Sequence, residues 1–143
     1  MNGNTQNPAH DIGEAVLSVI AMPADTNPAG NIFGGWILSQ IDLAGSVAAK
    51  ELVPERVVTI SMKEVIFKQP VYVGDLVACH AKVTHVGGTS ITVDVNVTAE
   101  RYSKETNSRV CQHVTSATVT YVAVDAQGNK KTIDPELKKA HGF

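Results

Sequence analysis

Apolar residues recur at intervals of three and four in only one part of the chain. Ile37, Ile41, Ala44, Ala48 and Leu52 form a single stripe, the pattern of a helix buried on one side. The spacing predicts a helix over residues 35–52, opened by Gly34-Gly35 and ended at Leu52. At 1.5 Å per residue it would be about 27 Å long. Elsewhere the period is two. Ile91, Val93, Val95 and Val97 alternate with Thr92, Asp94, Asn96 and Thr98, as in a half-buried strand. "GEAVLSVIA" reads as a first strand, and "RVVTISMKEVIF", "LVACHAKVTHV" and "VCQHVTSATVTYVAV" as others. Gly87-Gly88-Thr89 makes a hairpin turn. Pro23, Asn27, Pro28 and Gly30 punctuate a loop ahead of the helix.

One long helix followed by four or five mostly antiparallel strands is an α+β layout. The sheet is expected to wrap the helix and bury its stripe. Its other face, carrying Val58, Ile60 and Tyr121, is expected to be too apolar for water, which argues for subunit association. Residues 1–11 read as a flexible N-terminal tail and residues 12–128 as the single domain. Residues 129–143 form a C-terminal tail with a short helix after Asp134-Pro135, its four lysines forming a solvated surface.

Composition narrows the function classes. A length of 143 residues fits one domain with its own core. A hydrophobic fraction of 43% and a charged fraction of 18% are ordinary for a globular chain. The formal net charge of −2 gives no reason to expect nucleic acid or an anionic membrane as partner. No apolar run approaches the roughly 18 residues of a membrane span. The first residues lack the basic and apolar regions of a signal peptide, so a cytoplasmic location is expected. Cys79 and Cys111 lie in strand-like runs without the spacing of a zinc site or a disulfide framework, and both are expected to be buried. The five histidines show no ligand spacing. His80 and His85, five apart on one strand, should fall on opposite faces. No metal and no cofactor are expected.

Asp42 is the conspicuous residue. It sits mid-helix with Leu38, Ser39, Gly45 and Ser46 at the neighbouring i±3 and i±4 places and no cation among them. An exposed helical Asp usually finds Lys or Arg there, so something outside the helix must hold it. Gly34-Gly35 leaves unobstructed backbone N–H groups at the positive end of the helix dipole. Such an end can stabilise an oxyanion, although glycine pairs at helix starts are common. "GNIFGG" is not a phosphate loop, because no Lys-Ser/Thr follows. Asn27, before Pro28, reads equally well as a turn residue. Gly45 and Ala49 are small enough to let a ligand or a partner's helix come close along this surface.

Taken together, "ADTNPAGNIFGGWILSQID" (residues 24–42) resembles the signature of hotdog-fold acyl-CoA thioesterases, and most closely their YciA-like branch. The resemblance continues through "RVVTISM", "FKQPVYVGD", "GGTSI" and "YVAVDAQG", covering roughly residues 12–128 in unbroken order. It implies a hotdog fold, a long helix wrapped by a curved antiparallel sheet, pairing into a double-hotdog dimer and assembling as a hexamer, a trimer of dimers. It implies hydrolysis of acyl-CoA to free fatty acid and coenzyme A. In that family the helix Asp and the loop Asn of each site come from opposite subunits. Carried over, Asp42 is general base or nucleophile, the Gly35 amide polarises the thioester carbonyl, and Asn27 of the partner subunit orients water or substrate. Phe33, Gly34, Thr59 and Ser90 become substrate or coenzyme contacts. Many relatives carry His before the glycine pair; Phe33 stands there in this chain, which fits the YciA-like branch. Lys63, Lys68, Arg101, Lys104 and Arg109 are all candidates for gripping the coenzyme's phosphates.

Two other readings compete. A hotdog hydratase or dehydratase would need an acid/base His, and none lies near the Asn27–Asp42 segment in sequence. A non-catalytic acyl-CoA-binding module would have no use for a base at Asp42.

Overall fold

The computed structural model describes residues 12–143; the tail expected over residues 1–11 lies outside them. Five strands, β1 (Ala15–Ile20), β2 (Val57–Phe67), β3 (Leu76–Val86), β4 (Ser90–Ser103) and β5 (Ser108–Ala123), form one sheet in the order β1-β3-β4-β5-β2. Every pairing is antiparallel. The long helix α1 (Gly34–Ala49) lies against one face. Ile37, Ile41, Ala44 and Ala48 are buried there with Val93, Val95, Val97 and Val119, so the stripe and the alternating strand meet in one core.

Helix α1 ends three residues before the predicted Leu52. Pro54 pushes the residue before it away from helical geometry, and Leu52 and Val53 turn inward, 2% and 3% exposed. The buried tail of the stripe is therefore a turn. Curvature comes from register shifts, which bend and twist a strand. They occur in β2 between Thr59 and Ser61 and again between Lys63 and Ile66, with Glu64 at φ 55.

The bulge between Val83 and His85 corrects one expectation. His80 pairs with Asn96 and His85 with Thr92, so both histidines belong to the face away from the helix. The outer face also differs from expectation. Tyr121 belongs to the inner row, paired with Thr59 and Ile91. The outer row of β4 and β5 is polar, with Thr92, Asp94 and Asn96 beside Ser116, Thr118 and Thr120. Exposed apolar side chains gather instead on edge strand β2 (Ile60, Ile66, Phe67) and on the solvent side of α1 (Leu43, Val47). That is where a case for association rests.

After β5, Val124 bridges to Lys130 and the Ile133 N–H donates to the Gly88 carbonyl at 2.9 Å. A short helix, α2 (Pro135–Ala140), follows. It is capped by Asp134, whose Oδ1 accepts from the Glu136 N–H at 2.9 Å. Lys138 Nζ donates to the Gly87 carbonyl at 3.3 Å, and Lys131 pairs with Glu55 at 3.3 Å. Two of the four tail lysines are thus fastened to the domain.

Candidate active site

The resemblance set the missing partner of Asp42 across a dimer interface; the structure gives it two partners within its own chain, both from the sheet. Its Oδ1 accepts from the Thr59 hydroxyl at 2.7 Å and from the Tyr121 hydroxyl at 3.2 Å. The same Tyr121 hydroxyl lies 2.7 Å from the Asp42 backbone carbonyl. No described residue hydrogen-bonds Oδ2. Burial, and then the Asp42 charge beside it, push the Tyr121 hydroxyl far above the ordinary tyrosine range, so it stays a donor. Tyr121 is 1% exposed, while Asp42 is half-buried. The result is a carboxylate with one oxygen held by two hydroxyls and the other turned loose at the rim.

At the start of α1 the N-cap residue is Phe33, whose side chain caps nothing. The first backbone N–H groups, those of Gly34 and Gly35, have no acceptor within the helix. A Cβ on Gly34 would stand 3.2 Å from the Phe67 ring, so glycine lets the helix start pack against β2. The Asn27 side chain is committed to its own loop. Its Oδ1 accepts from the Ala29 and Asn31 N–H groups at 2.9 and 3.1 Å. That fixes the side chain and leaves the amide NH2 to donate outward. Asn27, Gly34, Ile37, Phe67 and Lys68 line one cleft of about 430 Å³. Asp42 is not among its lining residues.

Lys68 brings charge to that cleft, its Nζ 3.3 Å from His113 Nδ1. Burial first, and then the Lys68 charge, lower the His113 pKa below its usual value. The imidazole is therefore neutral and accepts from the ammonium.

The thioesterase superfamily matches residues 29–104 of the chain, a span that takes in the helix start, Asp42 and Thr59. The chain belongs to that superfamily. A solved hexameric hotdog-fold thioesterase of Campylobacter jejuni is 61% identical, with a TM-score of 0.89 over 93% of this chain and 99% of the other. A second solved structure, HI0827, described as a hexameric broad specificity acyl-coenzyme A thioesterase, is 42% identical, with a TM-score of 0.80 over 92% of this chain and 90% of the other. The acyl-CoA thioester hydrolase YciA of Escherichia coli is 40% identical over 87% of this chain and 93% of its own length. The fold is the hotdog fold, as the sequence signature implied.

The thioesterase chain sorts its candidate residues into two groups. Asn27, Gly34 and Gly35 come together at the helix start, with Phe33 beside them and 42% exposed. Thr59 lies apart from them, bonded to Asp42. Ser90 joins neither group. It pairs with Val122 on the outer row, and the Gly87 N–H donates to its carbonyl at 2.8 Å. Gly45 and Ala49 are both buried; Gly45 faces Tyr121 and Ala49 is fully enclosed in the core.

Two of the five candidate cations already have carboxylate partners. Arg101 donates to both oxygens of Asp75, at 2.8 and 2.6 Å, and stacks on the Tyr72 ring. Arg109 pairs with Glu100 at 2.6 Å. Cys79 is fully buried and its thiol is pushed up to about 12 by burial; Cys111 is exposed, against expectation. Among the described residues, no group of three His, Cys, Asp or Glu comes together to hold a metal ion. No helix among them is long and apolar enough to cross a membrane.

Sequence reasoning missed Tyr121 as a site residue. The signal was present, because Val119 and Tyr121 alternate with Thr118 and Thr120 and so share the buried row.

Proposed function

We propose that this chain hydrolyses acyl-CoA thioesters to free acid and coenzyme A, and does so as pairs within a hexamer. The observation that carries the reading is the half-held carboxylate of Asp42, set on the same helix as an uncapped glycine N-terminus. Asp42 lies seven residues beyond Gly35, about 10 Å along the axis. The cleft at the helix start contains Asn27 and Gly34 and lacks Asp42. In this reading a complete site combines Asp42 of one protomer with Asn27 of the partner subunit. Edge strand β2 and the solvent side of α1, where the exposed apolar residues lie, are the surfaces that would bring the two halves together. The solved relatives are hexameric, which supports association of protomers.

The chemistry is modest. Backbone N–H groups at the helix start donate to the thioester oxygen as negative charge develops on it. Water attacks the carbonyl carbon and passes a proton to Asp42 as general base. The C–S bond then breaks and the electron pair leaves on sulfur. A thiol ionises near 8.5, so the thiolate departs readily and collects the proton afterwards. Asn27 orients the water or the thioester through its free amide. Attack by Asp42 itself, through an anhydride, is the other route this geometry allows. The cytosol is the compartment we propose for this activity, on the strength of the bacterial acyl-CoA hydrolase relatives.

Release of free thiol from a panel of acyl-CoAs tests the reading, with wild type beside Asp42→Ala at unchanged oligomeric mass. A loss in the variant of about a thousandfold or more supports it, the scale expected for a base and its positioning together. A wild type that binds the panel and hydrolyses none of it defeats the enzyme reading and leaves a binding module.

A further inference from the structure

Gly45 lies one turn beyond Asp42 and has no space for a side chain. A Cβ there would collide with the Tyr121 hydroxyl and stand 3.0 Å from two ring carbons. The missing methyl lets the phenol from β5 reach the helix backbone. At that point its single proton is shared between the Asp42 carbonyl and Oδ1, at 2.7 and 3.2 Å. Thr59, arriving from β2, places a second proton on the same Oδ1 at 2.7 Å.

We propose that Tyr121, admitted by Gly45, is a positioning residue that works with Thr59 to decide which oxygen of Asp42 takes the proton from water. The inference rests on reading Asp42 as the catalytic carboxylate. A free carboxylate turns broadly about its terminal torsion. Here the two hydroxyls pin Oδ1, fix the plane of the group, and leave the lone pairs of Oδ2 for the reacting water. Both donors come from the sheet, on strands β2 and β5, which pair directly through Thr59 and Tyr121. The sheet therefore sets the carboxylate's orientation, while the helix only carries it. Such preorganisation is the condition for an effective base, since misplacement by about 1 Å can cost roughly a hundredfold in rate.

The test is steady-state thiol release by the assembled wild type, Asp42→Ala, Tyr121→Phe, Gly45→Ala, the Gly45→Ala/Tyr121→Phe double variant, Thr59→Val and Thr59→Ser. Tyr121→Phe should lower kcat by about 10- to 100-fold and leave KM within about twofold, because the phenol touches no substrate. Gly45→Ala should do the same by displacing the hydroxyl. The double variant should be no worse than the poorer single, since both act through one contact. Thr59→Val gives a second approach to the same oxygen, and Thr59→Ser should retain most of the rate. Full kcat in Tyr121→Phe beside an inactive Asp42→Ala overturns the positioning role alone. So does a change confined to KM, or a double variant whose losses multiply. Wild-type rates in Asp42→Ala overturn the underlying assignment and this inference with it.

Discussion

Arg101 grips Asp75 with two nitrogens, at 2.8 and 2.6 Å, where only 2% of Asp75 is exposed. Asp75 Oδ2 also accepts from the Tyr72 N–H at 2.9 Å, and the guanidinium stacks on the Tyr72 ring. The guanidinium's proton is held more firmly than usual by this carboxylate. The pair closes the turn between β2 and β3 and already engages the guanidinium named as a phosphate candidate. Removing one member of a buried pair strands the other. Asp75→Ala should cost about 3 kcal/mol, read as a lower urea midpoint at unchanged slope.

Acid should weaken the fold through its histidines. Burial lowers the pKa of His80 below the usual 6.5, and His113 shifts the same way. Each folded-state pKa lies below the unfolded value, so the unfolded chain binds more protons in that window. The stability is complete above pH 6.5 and drains as pH falls through the folded pKa. His80 is held with Nδ1 3.3 Å from the Gly13 carbonyl and Nε2 3.2 Å from the Thr98 hydroxyl, which suits the neutral ring. Urea midpoints from pH 8 to 5 should therefore fall, and His80→Gln should show a shallower slope whatever its starting stability.

The half-sites can be separated by genetics. Asp42→Ala and Asn27→Ala protomers should each be inactive as homo-oligomers. Unfolded together and reassembled at equal ratio, half of the pairs are mixed, and each mixed pair keeps one intact site. About a quarter of wild-type activity should return if each site draws on two subunits. No recovery, with mixed assembly verified by mass, would place Asn27 and Asp42 of one chain in the same site.

Lys68 stands in the Asn27 cleft beside a neutral His113, without a carboxylate partner among the described residues. Lys68→Ala should raise KM for acyl-CoA by about fivefold with kcat nearly constant, as loss of a contact to the substrate's anionic part would. The wild-type KM should rise with salt more steeply than the variant's. An equal effect on a substrate lacking the coenzyme's phosphates would assign Lys68 to another role.

The edge of the sheet offers a separate test. Ile60 is 57% exposed at a β2 bulge. Ile60→Lys should weaken pairing of protomers by about a hundredfold or more, a change on the scale of an interface hot spot. Sedimentation at falling concentration reads it, and activity should fall with the assembled fraction.

The helix was legible because its stripe faces one core, and β4 because it alternates without interruption. Where the strands bulge, counting by twos fails. The shift at Val83–His85 moved His85 onto the face of His80, and the shift after Thr59 exchanged the faces of Ser61, Met62 and Lys63 until the second shift, before Ile66, restored the count. Tyr121 precedes the bulge in its pairing and could have been placed by parity. Asp42 could be marked as needing a partner from its helical neighbours alone. Its donors are 17 and 79 residues away in sequence, a distance that no local pattern spans. Asn27 and the glycine pair were visible as residues, while their shared cleft depends on Phe67 and Lys68 arriving at the end of β2.

Cys79 carries a consequence for anyone following coenzyme A release. Its thiol is enclosed, and at an ordinary assay pH it is almost wholly protonated, so it is inert toward aromatic disulfide reagents while the sheet is closed. Cys111 is the one thiol of the native fold open to them. Product is then read against a fixed background of one equivalent per chain. A second equivalent appears only as the sheet opens, so the same reagent, without substrate, is a clock for unfolding.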